Sequence, residues 1–240
     1  MSRFRPAGPV VMRPQWQHLL FLHWEYEPAA VQSLLPPGLE LDTYENRAYV
    51  GLVPFRMANV RPRPLPDWGR WGHFYSRFPE LNVRTYVLRD GVPGVWFFSL
   101  DAASSLAVMT ARAWFRLPYF KARMRLHETR RGFDFWSKRL WPSPRPAICR
   151  TRWAPFGETR TALPDSLEEF LVERYVLYSQ RGGQLFRGRV HHEPYQLQSA
   201  RLLSLRENCV AAAGFSAPQG KPHILYCPGV DVEVWGLEKC

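Results

Sequence analysis

Glu80, Asn82, Arg84 and Tyr86 alternate with Leu81, Val83, Thr85 and Val87 in the stretch PELNVRTYV, residues 79 to 87. As a strand, this segment places the first four on one face and the second four on the other, because successive side chains point to opposite sides. A carboxyl, an amide and a guanidinium in a row could hold a carbonyl or carboxylate, with Glu80 or Asp101 moving protons once burial raises its pKa. The bland reading is a wet outer face carrying an ordinary arginine–carboxylate pair. Against it stands the next run, VWFFSL (95–100), read as apolar on both faces. A strand of that kind is covered on both sides, and charged groups beside it are costly unless paired or functional. A hairpin in which Leu88 pairs with Val95 would set Arg84 opposite Ser99 and Asn82 opposite Asp101, bringing Asp101 diagonally beside Arg84. A slip of one residue would dissolve that cluster.

Two further features could do chemistry. Lys121 is the first of only four lysines, and a desolvated lysine beside another cation such as Arg123 can attack a carbonyl as a Schiff-base nucleophile. Periodicity alone favours the plainer alternative of a lysine on an exposed basic strand. The pair His191 and His192 faces opposite ways on a strand and lacks the H-x-H or H-x-x-x-H partner that a metal site needs. One hydrogen-bonding histidine, His192, is expected at a site, with His23, His127 or His223 as its company, and no metal. P-loop, G-x-G-x-x-G and G-x-S-x-G patterns are absent, which removes nucleotide-dependent and triad-hydrolase chemistry from the leading options.

The elements that must position these groups are mostly strands. EPAAVQSLLPPG reads as a short helix over Ala29 to Leu35 stopped by two prolines, and RAYVGLVPFRMANV as a strand buried on both sides. A helix from about Leu106 takes Ser104 or Ser105 as its cap, and Ser166 with Glu169 forms a capping-box pattern. In LPYFKARMRLHETRRGFDFWS, a hairpin turning near Arg131 and Gly132, Tyr119, Lys121, Arg123 and Arg125 share one face. The C-terminal third supplies four or five more strands. The proline-rich stretches 60–72 and 140–150 read as arms packed on one domain.

With 240 residues and a hydrophobic fraction of 46%, the chain can bury a large core. Its net charge of +11 comes almost wholly from scattered arginines and raises a polyanion partner as the rival reading. Four cysteines without a C-x-x-C pair suit a reduced, cytoplasmic protein; no signal peptide and no membrane segment is expected.

Several segments, in order, resemble the YqjF-like family of uncharacterised bacterial proteins within the acetoacetate decarboxylase-like superfamily. They are LLFLHW, LLPPGLELDTYENRAYVGLVPFRM, FPELNVRTYV, GVPGVWFFSLDA, ARAWFRLPYFKARM, ERYVLYS, VHHEPYQLQSA and GVDVEVW. The resemblance implies a curled antiparallel β-barrel around an apolar pocket. It also implies that Glu80 matches a pocket glutamate and Arg112 a helix arginine placed six residues before a proline. Where acetoacetate decarboxylases carry F-P-K-K, with the Schiff-base lysine first, this chain reads LPYFK, so Tyr119 and Phe120 stand at the two lysine positions. A phenol cannot form an imine, and Lys121 lies two residues further on.

The expectation is therefore a mainly β (α+β) single domain over residues 1–240, a curled antiparallel barrel with two or three attached helices. It would bind a small carbonyl- or carboxylate-bearing molecule without cofactor or metal, a metal-independent lyase or isomerase being its catalytic version. Glu80, Tyr119 and Lys121 are the catalytic candidates; Asn82, Arg84, Asp101, Arg112 and His192 are the binding candidates. Self-association is compatible with this reading, and an arginine-rich module for nucleic acid or another polyanion is its alternative.

Overall fold

The computed structural model describes residues 4–60, 77–142 and 145–240; residues 61–72 of the first proline-rich arm lie outside them. Fourteen strands follow one another: β1 (Val10–Met12), β2 (Gln15–Tyr26), β3 (Glu40–Leu41), β4 (Ala48–Ala58), β5 (Phe78–Arg89), β6 (Val92–Ala102), β7 (Tyr119–Thr129), β8 (Gly132–Trp141), β9 (Ile148–Arg160), β10 (Val176–Arg181), β11 (Gln184–His192), β12 (Leu197–Glu207), β13 (His223–Trp235) and β14 (Glu238–Lys239). Among the described residues four short helices, Pro28–Gln32, Ser105–Thr110, Leu167–Val172 and Cys209–Ala212, are attached. None of the described helices is long and apolar enough to cross a membrane.

The caps expected from sequence form. Ser104 Oγ accepts from the Ala107 amide at 3.3 Å and Ser166 Oγ from the Glu169 amide at 3.2 Å. The first of these helices runs on into a π-helical turn, Ala111–Phe115, that ends with Arg116 in the left-handed region. Strand β9, on which arginines alternate with buried Cys149, Thr151 and Trp153, completes the second half of the sheet and begins within the stretch 140–150 expected to be an arm.

The sheet curls on itself twice. Strands β13, β2, β4, β5 and β6 lie side by side, all antiparallel, as a shared wall. The first half of β6 pairs in parallel with β10 at Val95 and Trp96, and β10, β11 and β13 close one ring. The second half of β6 pairs in parallel with β7 at Leu100 to Ala102, and β7, β8, β9, β12 and β13 close the other. Two parallel pairings thus interrupt an otherwise antiparallel sheet. A strand that faces two interiors must be apolar on both sides. That is why β4 and β5 are buried along nearly their whole length, with Leu52, Leu81 and Val83 in one core and Val53, Phe55 and Tyr86 in the other.

The β5–β6 register differs from the one expected. Asp90 and Gly91 both take positive φ (51° and 73°), forming a tight two-residue turn of the kind an Asp-Gly pair favours. Leu88 consequently pairs with Pro93 rather than Val95. Further along, the pairing steps from Arg84 opposite Phe97 to Val83 opposite Ser99, leaving Phe98 as a bulge. Asp101 therefore stands opposite Leu81, not Asn82, and projects from the other face of the wall.

Candidate functional site

Parity on β5 decides which residues enter the first ring. Glu80 stands opposite Phe55, Asn82 opposite Val53 and Arg84 opposite Gly51, all on the face that carries Tyr86 and the first core. Glu80, Asn82 and Arg84 are 2%, 5% and 8% exposed, so the polar face of PELNVRTYV is interior. Tyr119 begins β7 beside Leu100 on the same side, and its hydroxyl donates to Glu80 Oε2 at 3.0 Å. Burial is the main cause that pushes the Glu80 carboxyl up to about 8, against the Tyr119 hydrogen bond; the Asp101 charge behind the wall adds to the rise. At neutral pH Glu80 carries a proton that it can readily give up. Burial and the neighbouring carboxylate also raise the Tyr119 phenol, which stays protonated.

Arg84 anchors the other end of the row. Four residues along a strand span about 13 Å, with Asn82 halfway. Its guanidinium donates from Nη2 to the Leu171 carbonyl at 3.1 Å and lies 5.4 Å from the Phe21 ring centre and 5.8 Å from that of Tyr86. Gly51 makes this packing feasible, since a Cβ there would come within 2.8 Å of the His23 ring and 3.4 Å of Arg84 Cγ. The Tyr86 hydroxyl donates to the Leu171 carbonyl at 2.6 Å and thus accepts from His23 Nε2, also at 2.6 Å. Burial, then the Arg84 charge, keeps His23 neutral. Behind Tyr86, Arg174 stacks on that ring and on Phe170, donates to the Phe170 carbonyl at 2.8 Å and pairs with Asp42 at 2.5 Å.

A circuit of contacts closes around this interior. Phe21 meets Tyr195 edge-on at 5.5 Å, Tyr195 meets His192 at 4.5 Å, His192 meets Trp16 at 6.0 Å, and Trp16 meets Phe55, the cross-strand neighbour of Glu80, at 6.2 Å. Four buried polar atoms facing this interior have no partner among the described residues: Asn82 Oδ1, Arg84 Nε, His192 Nε2 and Trp16 Nε1. His192 Nδ1 lies 2.9 Å from the Glu193 carbonyl, which accepts only from an N–H, so the free Nε2 is an acceptor while the ring is neutral. Burial favours that neutral form. The circuit thus offers two N–H donors, two acceptors and a protonated carboxyl. By contrast, the Glu173 carboxylate is taken up by the Tyr175 hydroxyl at 2.5 Å and the Tyr195 amide at 2.9 Å.

The remaining candidates stand elsewhere. Asp101 lies in the second core, paired with Arg139 Nε at 2.7 Å, and Arg139 covers the Phe120 ring at 4.1 Å. Arg112 is exposed and donates to the Tyr119 carbonyl at 2.7 Å, fixing the start of β7 from outside. Lys121 is half-buried, and its ammonium donates to the Ala103 carbonyl. The face shared by Tyr119, Lys121, Arg123 and Arg125 passes from interior to solvent as β7 leaves the wall, so only Tyr119 reaches the ring. Among the described residues no three His, Cys, Asp or Glu side chains form a group able to hold a metal. Sequence reading missed Trp16 and Tyr195, which come from distant segments and carry no shared spacing. It also missed Arg139, whose signal was its place on the buried parity of Phe133, Phe135 and Ser137.

A twice-curled sheet of this kind defines a fold class. The chain is similar to an acetoacetate decarboxylase from Legionella pneumophila, with TM-score 0.64, 13% identity and coverage of 100% of this chain and 92% of that one. It is similar also to the enduracididine biosynthesis enzyme MppR complexed with pyruvate, with TM-score 0.65, 13% identity and coverage of 98% and 91%. The fold is therefore acetoacetate decarboxylase-like. Within that class, residues 13–231 match the DUF2071 family, described as an uncharacterized conserved protein, and the chain belongs to it. The uncharacterized protein YqjF of Bacillus subtilis (strain 168) is 38% identical over 234 residues, 98% of this chain and 94% of that protein.

Proposed function

We propose that the first ring binds a small molecule bearing a carboxylate or carbonyl, and that Glu80 exchanges a proton with it without a metal. The observation that carries this reading is the Glu80–Tyr119 pair buried on one strand face with Asn82 and Arg84, beside four buried polar atoms that lack partners among the described residues. Buried polar atoms are rarely left unpaired, because each costs about 1–3 kcal/mol. Arg84 Nε and Trp16 Nε1 suit a carboxylate or carbonyl oxygen; Asn82 Oδ1 and neutral His192 Nε2 suit a hydroxyl or amino group. A short oxo or hydroxy acid answers both demands. That a protein of the same fold has been solved with pyruvate supports this ligand class.

A carboxyl that titrates near 8 is matched to proton exchange at neutral pH. Ionised Glu80 takes a proton from the carbon next to a carbonyl, the C–H pair moves into the carbon–carbon bond, and the carbonyl oxygen gains the negative charge. The Tyr119 hydroxyl stabilises Glu80 in its ionised form and holds its orientation. This route needs no imine, in keeping with a phenol at position 119 and a Lys121 ammonium engaged by a backbone carbonyl.

The test is solvent deuterium exchange into short 2-oxo acids, followed by proton NMR. Wild type should exchange the position beside the carbonyl, and Glu80→Gln should lower the rate by about 100-fold or more, the usual contribution of a positioned acid–base group. Exchange by Glu80→Gln at the wild-type rate would sink the proposal.

A further inference from the structure

The outer face of β7, β8, β9 and β12 carries an arrangement that the fold itself disfavours. In register, Arg123 lies opposite Lys138, and Arg125, Trp136, Arg150 and Arg206 form one row across all four strands. In the next row Asp134 stands between His127 and Arg152, the one carboxylate of these rows. Arg123, Arg125, Lys138, Arg150, Arg152 and Arg206 are all exposed, and none makes an ion pair with a described residue. Like charges directly opposite one another destabilise a sheet. A merely solvated face would mix signs.

Aromatic rings are set into this positive surface. Arg125 lies over Trp136 at 5.4 Å, and Arg201 lies over Phe156 at 5.9 Å, Phe156 being about half exposed on the same face of β9 as Arg150 and Arg152. Six residues of strand separate Arg150 from Phe156, about 20 Å. We propose that this face binds single-stranded nucleic acid, its guanidinium rows tracking the phosphates and Trp136 and Phe156 stacking on bases. Every base has a π-face, so rings of this kind serve an unpaired strand, whereas a duplex keeps its bases stacked away from them. A lipid surface would call for apolar side chains reaching beyond the charges. Here Arg125 and Arg201 stand 5.4 Å and 5.9 Å from the two ring centres, so the rings are flanked by charge and do not project beyond it.

Fluorescence anisotropy with a labelled oligo-dT or oligo-U, using the full chain, tests this. With about five phosphates engaged, affinity should fall roughly 100-fold between about 50 and 200 mM salt, following a slope near −0.7 per contact. Arg125→Ala/Arg150→Ala/Arg206→Ala should flatten that slope by about 2. Trp136→Leu should weaken binding by about tenfold or more with the slope unchanged. Circular dichroism confirms that each variant folds. The proposal is overturned if no oligonucleotide binds at the lower salt, if the triple variant binds like wild type, or if duplex DNA or phosphatidylserine vesicles bind more tightly.

Discussion

Asp101→Ala is expected to destabilise the protein by about 3–5 kcal/mol, the usual loss when one member of a buried ion pair is removed. Arg139 would keep its charge in a site where it is 8% exposed, near Cys209, whose thiol is itself pushed up by burial. A guanidinium cannot escape that cost by losing its proton. The converse change, Arg139→Met, should cost less, because Asp101 is already raised to about 6 by burial and can take up a proton once its partner is gone. The double change Asp101→Leu/Arg139→Met should lie near wild type, since well-packed apolar groups replace such pairs at little loss. Urea unfolding midpoints of the three variants measure this directly; a loss below about 1 kcal/mol in Asp101→Ala would remove the ion pair from the account. The pair ties β6 to β8 across β7, so it also braces the strand that presents Tyr119 to Glu80.

The second large effect concerns pH. Glu80 titrates at about 8 in the folded chain, above its ordinary value of 4.5, so between those values the folded state binds a proton that the unfolded state has released. Stability must then fall as pH rises through that window, by up to about 1.4 kcal/mol per pH unit. Relative to Glu80→Gln, which keeps an acceptor for the Tyr119 hydroxyl but does not titrate, wild type should lose up to about 4 kcal/mol between pH 5 and pH 8. Histidines held neutral by burial, such as His23 and His192, act in the opposite sense below pH 6.5, and the comparison with Glu80→Gln cancels them. Denaturant unfolding of both proteins across this range should give diverging curves; parallel curves would place the Glu80 carboxyl in ordinary solvent.

How much of this could be read before the structure depends on the range of the interaction. The face of Glu80, Asn82, Arg84 and Tyr86 was legible because strand parity is local, and so were the caps at Ser104 and Ser166. Register was not, since it turned on an Asp90–Gly91 turn one pair tighter than supposed and on a bulge at Phe98. Those two details moved Asp101 to the other side of the wall. The resemblance brought Glu80 and Tyr119 forward together, whereas His192 and Trp16 meet in space through ring closure by β11 and β13, which leaves no spacing in the chain. Arg112 came forward through the resemblance and Lys121 through its residue type, and only the geometry showed that both engage backbone carbonyls.

The central claim is that the first ring is a binding site with Arg84 as its anion anchor. Calorimetric titration of wild type and Arg84→Met with a panel of short 2-oxo and 2-hydroxy carboxylic acids tests it most directly. Wild type should bind at least one acid, and Arg84→Met should bind that acid about 10- to 100-fold more weakly, the worth of a hydrogen bond to a charged group. Equal affinity in the two proteins, or no binding of any acid by wild type, would contradict it.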